Sequence, residues 1–292
     1  MFWLGEVKRE NVNVNGTDPI GVTGRRHNGR MRRLIKNILL LLATVLVALS
    51  ARADLADTIA RVKPAIALVG SFKATDNPRF ALRGTGFVVG EGGAAQGNLV
   101  VTNAHVLQQP GGGDLDAQWM VQLRTGADWQ AHAARVLEVD AVHDLALLRF
   151  EGVAATAFKV GDSSRVREGD ALAFMGFPIG GALGFSPVTH RASVSSIAAA
   201  ALPTPQARQL SAQAIRSLRG NNPFDIFQLD ATAYPGNSGG PLFDPDTGEV
   251  LGVVNMVLLK STREAALAQP SGISYAIPSR FVLELLQRNA RR

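Results

Sequence analysis

Short apolar stretches separated by Gly, Asp and Pro follow one another along most of the chain. They are rich in β-branched residues, and most are four to eight residues long. Stretches of that length with turn-rich flanks favour strands, and they do not alternate regularly with helices. The pattern predicts an all-β fold, either a pair of small barrels or a sandwich. The stretches are "AIALVG", "GTGFVVG", "NLVVTNAH", "WMVQL", "AARVLEVD", "LALLRF", "ALAFMGFP", "VTHRASVSSI", "DIFQLDA" and "EVLGVVNMVLL".

Three segments have a helical pattern. Leu55–Val62 is a short helical stretch before the first strand. Residues 203–222 place apolar side chains on one side of a helix and predict a helical insertion. Residues 279–290 do the same at the end of the chain and predict a closing helix packed on the core, with Ser279 as its cap. The apolar residues are Leu210, Ala214, Ile215 and Leu218 in the insertion, and Phe281, Val282, Leu285 and Leu286 in the closing helix.

The basic excess of the chain is confined to its first part. Residues 1–53 carry nine Lys and Arg against three acidic residues, whereas residues 54–292 carry 21 of each. A nucleic-acid-binding surface needs a basic excess on the folded part of a protein. No nucleic-acid partner is therefore predicted.

The basic residues precede an apolar run, Ile38–Leu49, and the small-x-small tripeptide Ala51–Ala53. This order is typical of a secretory signal peptide, which we assign to residues 31–53, with Met31 as the initiator and residues 1–30 as not translated or removed. The run has twelve residues, fewer than the ~20 of a membrane span. No stable span is predicted after cleavage near Ala53, and an uncleaved anchor is the alternative. Because the chain has no cysteine, it has no disulfides and no lipid-modified cysteine. The leader indicates a periplasmic or secreted location.

One serine lies among three glycines in "TAYPGNSGGPL", residues 232–242. Glycine backbones can turn successive amides into one pocket and let a substrate carbonyl approach closely. We therefore predict that Ser238 is a nucleophile, with the main-chain N–H groups of Gly236 and Ser238 as oxyanion donors. A glycine-rich turn whose serine has no catalytic role is the alternative.

The same residues also match the G-x-S-x-G elbow of α/β-hydrolases. In that fold the catalytic histidine follows the serine in the chain, and this sequence has no histidine after Ser238.

The base must then come from upstream of the serine. His105, in "LVVTNAHVL", lies where an apolar strand runs into a polar turn and is the predicted base, with His143 as its rival. Asp144 starts the apolar run "LALLRF", so its carboxylate is expected to be partly buried and to need a partner. Asp144 is the predicted orienting acid, and Asp140 is the nearest alternative. Two further histidines lie in alternating strand-like contexts that are typical of exposed side chains: His132 and His190.

Three motifs, "TNAHVL", "HDLALLRF" and "GNSGGPL", occur in the order His, Asp, Ser. Together they resemble the chymotrypsin-fold (trypsin-like) serine proteases, and most closely the bacterial HtrA (Deg-like) branch. The stretches "GTGFVV", "VGDSSRVREGDALAFMGFPIG", "GEVLGVVNM" and "GISYAIPSRFVLELL" also resemble that branch. The resemblance extends over roughly residues 57–288, and the set of motifs is far more specific than any one of them.

The resemblance implies two six-stranded β-barrels, which we assign to residues 54–165 and 166–292, with the active site between them. It implies peptide-bond hydrolysis through an acyl-enzyme: Ser238 attacks, His105 transfers the proton, Asp144 holds the ring, and the amides of Gly236 and Ser238 stabilise the oxyanion. No metal or cofactor is required.

HtrA enzymes usually carry PDZ domains after the protease, and this sequence ends at its closing helix. The helical insertion lies where that branch has a shorter regulatory loop.

The residues around the serine predict the substrate preference. Thr232 occupies the position that holds an acid in trypsin-like enzymes that cleave after Lys or Arg, so that specificity is not expected. Small or medium apolar residues are expected before the cleaved bond. Asn237 stands where zymogen-type relatives carry an aspartate, so activation by a newly cut amino terminus is not expected. The predicted pocket residues are Thr232, Ala233, Tyr234, Val253, Val254 and Met256.

The leading hypothesis is a secreted or periplasmic serine endopeptidase that acts on proteins or peptides, unfolded ones among them. A catalytically silent binding protein on the same scaffold is the alternative from another class. The sequence is compatible with a homo-oligomer and leaves the natural substrate open.

Overall fold

The computed structural model describes residues 31–40, 54–108, 118–126, 128–181, 185–200, 224–255 and 272–292. The chain divides into two units, Met1–Arg52 and Ala53–Arg292. In the first unit, residues 31–40 are helical and exposed. No helix within the described ranges is long and apolar enough to cross a membrane. The predicted insertion 203–222 lies outside the described residues.

The second unit contains two closed barrels of six antiparallel strands each, so the prediction of two six-stranded barrels is confirmed. The first barrel has the strand order β1-β2-β4-β7-β6-β5, and β3 and β8 form a separate two-stranded sheet. The strands are β1 (Ile66–Phe72), β2 (Phe80–Val89), β3 (Gln96–Gly97), β4 (Leu99–Thr102), β5 (Gln118–Thr125), β6 (Asp128–Asp140), β7 (Leu145–Phe150) and β8 (Ala155–Thr156).

The second barrel has the strand order β10-β11-β14-β13-β12-β9. Its strands are β9 (Ala171–Gly176), β10 (Val188–Ala200), β11 (Phe224–Asp230), β12 (Pro241–Phe243), β13 (Val250–Asn255) and β14 (Ile273–Pro278). The predicted boundary between the barrels, after residue 165, falls in the connection between β8 and β9.

The continuous apolar runs of the sequence become strands that are buried on both faces. Every residue of β4 and β13 is buried, as are all but one of β1 and β7. Such strands do not show the alternation of a half-buried strand. β5 is more exposed, and only Val121 and Leu123 among its residues are buried.

Among the residues that the structure describes, two helices flank the barrels: α1 (Leu55–Val62) and α2 (Ser279–Ala290). Asp54 caps α1, because its carboxylate accepts the Ala56 N–H at 3.3 Å. The Arg61 guanidinium donates to the carbonyl of Thr247 at 2.8 Å, so α1 packs against the connection between β12 and β13. α2 packs three apolar side chains into a core that includes residues of both barrels: Phe281, Val282 and Leu285.

Ser279 does not cap α2, contrary to the sequence-based expectation. It is the first helical residue and is fully buried, and its hydroxyl donates to the carbonyl of Gly161 at 2.7 Å. The N–H of Arg280 donates to the Ser163 hydroxyl at 3.0 Å. These two bonds attach the start of α2 to the connection between the barrels.

Ser279→Ala is expected to lower the free energy of unfolding by about 1–2 kcal/mol, because it leaves the buried Gly161 carbonyl without its donor. Urea denaturation measures the change. Ser164→Ala, at an exposed position in the same region, is the control and is expected to unfold as the wild type does. Equal midpoints for the Ser279 variant and the wild type would contradict the prediction.

Candidate active site

The structure pairs His105 with Asp144, as the sequence analysis predicts. β4 ends at Thr102, and His105 follows on a short 3-10 helix, Ala104–Leu107. The imidazole Nδ1 lies 2.6 Å from Asp144 Oδ2, and the His105 main-chain N–H donates to Oδ1 at 2.8 Å. An ionised carboxylate only accepts hydrogen bonds, so Nδ1 carries the proton and Nε2 of the neutral ring is left as the basic nitrogen.

A third bond to the Asp144 carboxylate comes from the second barrel. The side-chain amide of Asn255, at the end of β13, donates to Oδ2 at 2.7 Å, and Asn255 is fully buried. The main-chain carbonyl of Asp144 accepts from the Ala104 N–H at 3.1 Å and from the Asn103 side chain at 3.0 Å. Asp144 has φ +52°, a conformation that non-glycine residues rarely adopt. These bonds hold the carboxylate in a geometry that the sequence pattern does not reveal.

Hydrogen bonds to two main-chain carbonyls constrain the loop around Ser238. The carbonyl of Pro235 accepts from the Ile179 N–H at 2.7 Å, and the carbonyl of Asn237 accepts from the Gly240 N–H at 3.0 Å. Because C=O and N–H point in opposite directions in a trans peptide, these bonds orient the N–H groups of Gly236 and Ser238. Neither N–H donates to an acceptor in the described part of the chain.

Thr85 of β2 fixes the loop from the first barrel. Its hydroxyl donates to the carbonyl of Gly236 at 2.6 Å and accepts from the Phe177 N–H at 3.0 Å. Its main-chain N–H donates to the carbonyl of Ser238 at 2.9 Å. Gly236 has φ +105°, which a side chain would disfavour. One first-barrel residue thereby fixes the carbonyls of the two residues whose N–H groups are the predicted oxyanion donors.

The Ser238 loop packs against the segment that carries His105. A Cβ added at Gly84 would lie 2.7 Å from the Val106 side chain and 3.0 Å from the Ser238 carbonyl. A Cβ added at Gly239 would lie 3.1 Å from the Asn103 N. The Ser238 hydroxyl makes no hydrogen bond to His105 or to any other group of the described residues. Bonds of this kind are often long in free enzymes and tighten when substrate binds.

The predicted pocket residues divide into several environments. Ala233 is buried, whereas Thr232 and Tyr234 are half-buried. Val253 and Val254 are fully buried on opposite faces of β13, because successive side chains of a strand alternate. Val254 shares the second-barrel core with Ala233, and Val253 belongs to the core that also contains α2. Met256 lies outside the described residues. The pocket stays a prediction.

The alternating pattern predicts that the other histidines are exposed, but in the structure they are partly buried against aromatic rings. His132 lies 5.3 Å from the Phe150 ring, and its Nδ1 lies 2.9 Å from the Glu151 carbonyl oxygen. His190 stacks on Phe174 at 4.6 Å. Burial lowers the pKa of His190. The neighbouring strand supplies the covering ring in each case, which the local pattern does not reveal.

His143 and Asp140, the rival base and acid of the sequence analysis, pair with each other. Nδ1 of His143 lies 2.9 Å from Asp140 Oδ2, and the His143 N–H donates to Oδ1 at 3.1 Å. Burial opposes ionisation of Asp140, but the hydrogen bonds from His143 and Arg288 outweigh it and hold the pKa of Asp140 well below its usual range. This carboxylate is therefore charged throughout the neutral range.

Asp140→Asn is expected to reduce the decrease in the free energy of unfolding that occurs at acidic pH. The lowered pKa of Asp140 means that its charge stabilises the fold above about pH 4 and that this contribution is lost progressively at lower pH. The wild type therefore loses stability between about pH 5 and 2 that the variant does not lose. Urea midpoints across this range measure the difference. Parallel curves for the two proteins would contradict the prediction.

Two residues that hold the site were not found by sequence reasoning. Thr85 lies between two glycines in "RGTGFVV", and Asn255 ends the apolar run "VLGVVN". A lone polar residue within or at the end of a buried run is a signal of a hydrogen-bonded role. Within the described ranges, no group of three or more His, Asp or Glu side chains could hold a metal ion.

Comparison with known proteins identifies the family. Residues 84–253, more than half of the chain, match the model of the trypsin-like peptidase domain. The serine protease HTRA2, mitochondrial, of Drosophila grimshawi is 33% identical over 216 residues, which are 74% of this chain and 41% of the relative. The protein of the same name from Drosophila virilis gives the same values. The chain thus spans about two fifths of the length of these curated relatives.

Solved structures of HtrA-type proteases have a similar fold. The HtrA-type protease AlgW with a tripeptide has a TM-score of 0.56 and 26% identity, and the match covers 80% of this chain and 62% of that one. The HtrA-type protease AlgW with a decapeptide has a TM-score of 0.57 and 23% identity, and the match covers 82% of this chain and 68% of that one. At this identity the match supports the fold alone. From these matches and the two-barrel fold, the chain belongs to the trypsin-like peptidase domain family, within its HtrA branch.

Proposed function

We propose that this protein is a serine endopeptidase that hydrolyses peptide bonds in proteins through an acyl-enzyme. Ser238 is the nucleophile, His105 the general base and acid, and Asp144 the residue that holds the imidazole. The observation that carries the proposal is the 2.6 Å contact between His105 Nδ1 and Asp144 Oδ2, which leaves Nε2 free to accept a proton. The family membership supports the same chemistry.

Each step of the reaction uses groups described above. His105 Nε2 removes the proton from the Ser238 hydroxyl as Oγ bonds to the carbonyl carbon of the substrate. The negative charge that develops on the carbonyl oxygen is stabilised by the N–H groups of Gly236 and Ser238. The imidazolium then gives its proton to the leaving amine, and the C–N bond breaks. Water repeats the sequence on the acyl-enzyme and releases the acid product.

We propose that the residue before the cleaved bond is small or medium and apolar. The half-buried Thr232 offers no carboxylate to a Lys or Arg side chain, and Ala233 and Val254 share an apolar core. Tyr234, Val253 and Met256 complete the proposed set. Cleavage of a peptide library by the purified protein, followed by mass spectrometry of the products, tests this preference. Products cut mainly after Lys or Arg would contradict it.

We propose a periplasmic or secreted location for the mature chain, with protein or peptide substrates. The support is the order of basic residues, apolar run and small-x-small tripeptide in residues 31–53. The peptide ligands of the HtrA-type structures support peptide binding. Amino-terminal sequencing of the exported protein tests the leader, and a start near Asp54 is expected. Analytical ultracentrifugation of the same sample determines whether it is a homo-oligomer.

Covalent labelling tests the catalytic proposal directly. The purified protein is treated with a fluorophosphonate, and the labelled residue is mapped by mass spectrometry, while casein cleavage is measured in parallel. We expect labelling at Ser238 that is lost in Ser238→Ala and kept in Ser164→Ala, which changes an exposed serine. The alternative is a binding protein without catalytic activity. The observation that favours it is that the Ser238 hydroxyl makes no hydrogen bond to His105. Folded wild-type protein that neither labels nor cleaves casein would support that alternative.

A further inference from the structure

A second group of interacting side chains includes two residues that closely precede Asp144 in the sequence. It comprises Asp140, His143, Phe224, Phe281 and Arg288, and we refer to it as the His143 cluster. Asp140 ends β6, and His143 lies in the turn between β6 and β7. Phe224 begins β11, and Phe281 and Arg288 belong to α2. None of these five side chains belongs to the reaction proposed above.

The polar half of the cluster fixes the turn to α2. The carboxylate of Asp140 accepts the main-chain N–H of His143 and bonds to its ring, at 3.1 and 2.9 Å. The Arg288 guanidinium donates to Asp140 Oδ2 at 2.8 Å and to Glu138 Oε1 at 2.7 Å. Only 8% of the Asp140 side chain and 10% of the Glu138 side chain are exposed. Solvent therefore screens the ion pairs of these two carboxylates with Arg288 only weakly, and the charged hydrogen bonds define the geometry of the contact.

The aromatic half holds the ring of His143 from two sides. The Phe281 ring stacks on it at 3.9 Å with an angle of 18°, and the Phe224 ring meets it edge-on at 4.8 Å. Phe281 and Phe224 also contact each other at 5.1 Å. Phe281 and Arg288 are two helical turns apart, so they lie on the same face of α2. The helix thus contacts the turn through both halves of the cluster.

The turn needs such support because of the residue that follows it. Asp144 has φ +52°, and strained residues persist only where the surrounding structure holds them. Ala141 and Val142, within the turn, are exposed and contribute little packing. His143 is bonded to Asp144 through the main chain, so a displacement of the His143 backbone is transmitted to the residue whose carboxylate binds His105 and Asn255.

We propose that the His143 cluster positions the Asp144 carboxylate, so that α2 and the start of β11 contribute to activity without touching the reacting atoms. His143 is a positioning residue in this arrangement. The inference rests on the proposed function, because it concerns the acid of the same catalytic set. It extends that function by making α2 part of what the active site requires.

Substitutions of His143 test the inference. His143→Ala removes both the bond to Asp140 and the ring stack, and we expect kcat to fall about 10- to 100-fold with KM within about twofold, because small misplacements of catalytic groups reduce the rate steeply. His143→Asn keeps a donor at the position of Nδ1, and His143→Phe keeps the ring, so each is expected to lose less. The proton NMR signal of the His105 Nδ1–H reports directly on the bond to Asp144.

His132→Ala is the matched control. His132 is also a partly buried histidine of the first barrel, with its ring against a phenylalanine and its Nδ1 at a carbonyl oxygen. We expect it to leave kcat and the His105 signal unchanged. Thermal unfolding of all variants verifies that each is folded at the assay temperature.

The outcomes separate this inference from the proposed function. Wild-type protein that fails to label at Ser238 contradicts the function itself. Wild-type labelling together with an unchanged kcat and His105 signal in folded His143→Ala overturns the positioning role alone. A fall in kcat with a shifted or broadened His105 signal, partly restored in His143→Asn or His143→Phe, supports it.

Discussion

Asp144→Asn is expected to lower kcat by about 10⁴-fold with little change in KM. The main-chain N–H of His105 bonds to Oδ1 of Asp144, so an asparagine keeps its oxygen there and places its NH₂ group where Oδ2 was. That NH₂ group would face Nδ1 of His105 and the amide donor of Asn255. The imidazole then accepts at Nδ1 and carries its proton on Nε2, and a protonated Nε2 cannot accept the serine proton.

Steady-state kinetics with a peptide substrate measure the loss. Asp170→Asn is the control, because Asp170 forms an ion pair with the exposed Arg167 and not with a residue of the proposed catalytic set. Its kcat is expected to match that of the wild type. A folded Asp144→Asn enzyme whose kcat falls less than about tenfold would show that this carboxylate does not set the tautomer of His105.

Gly239→Ala is expected to destabilise the fold by about 3–5 kcal/mol and to abolish activity. A Cβ at this position would lie 2.1 Å from the Thr85 carbonyl oxygen and 2.3 Å from the Thr102 hydroxyl, so the backbone itself must move. Gly239 also has φ +84°, which adds strain for any side chain. The movement displaces the adjacent Ser238 and disturbs the N–H groups of Gly236 and Ser238, which are the proposed oxyanion donors.

Gly169→Ala separates the two causes. Gly169 has φ +89° but nothing within 4 Å of an added Cβ, so only the backbone strain of about 1–2 kcal/mol applies. Urea denaturation and casein cleavage are measured for both variants. Equal losses of stability would mean that the close approach of Gly239 to Thr85 and Thr102 has no energetic weight.

The fold could be predicted from local pattern to a large extent. The ten apolar stretches correspond to ten of the fourteen strands in the described part of the chain, because burial on one or both faces imposes runs of apolar residues. The shortest strands were not predicted. β3 and β8 have two residues each, and β12 has three and overlaps the serine motif. β14, "ISYAIP", has polar residues in its first half, so its pattern is weak.

The site was predictable only where a residue type has a chemical reason of its own. His105 and Asp144 are joined in the structure as expected. Asn255 and Thr85 were not found, because their roles depend on how the second barrel meets the first, which local pattern does not determine. Asp140 and His143 were considered as rivals, and their pairing with each other, against α2, could not be inferred without the fold.

The bond between Asp144 and Asn255 spans 111 residues of the chain. During synthesis, a nascent chain that has not yet emerged beyond Asn255 lacks the amide that holds the acid, and α2 is made later still. On the proposed function, products that end before Asn255 are therefore expected to cleave other proteins poorly. The proposed activity therefore depends on the segment from Asn255 to α2, which is synthesised after all three residues of the proposed catalytic set.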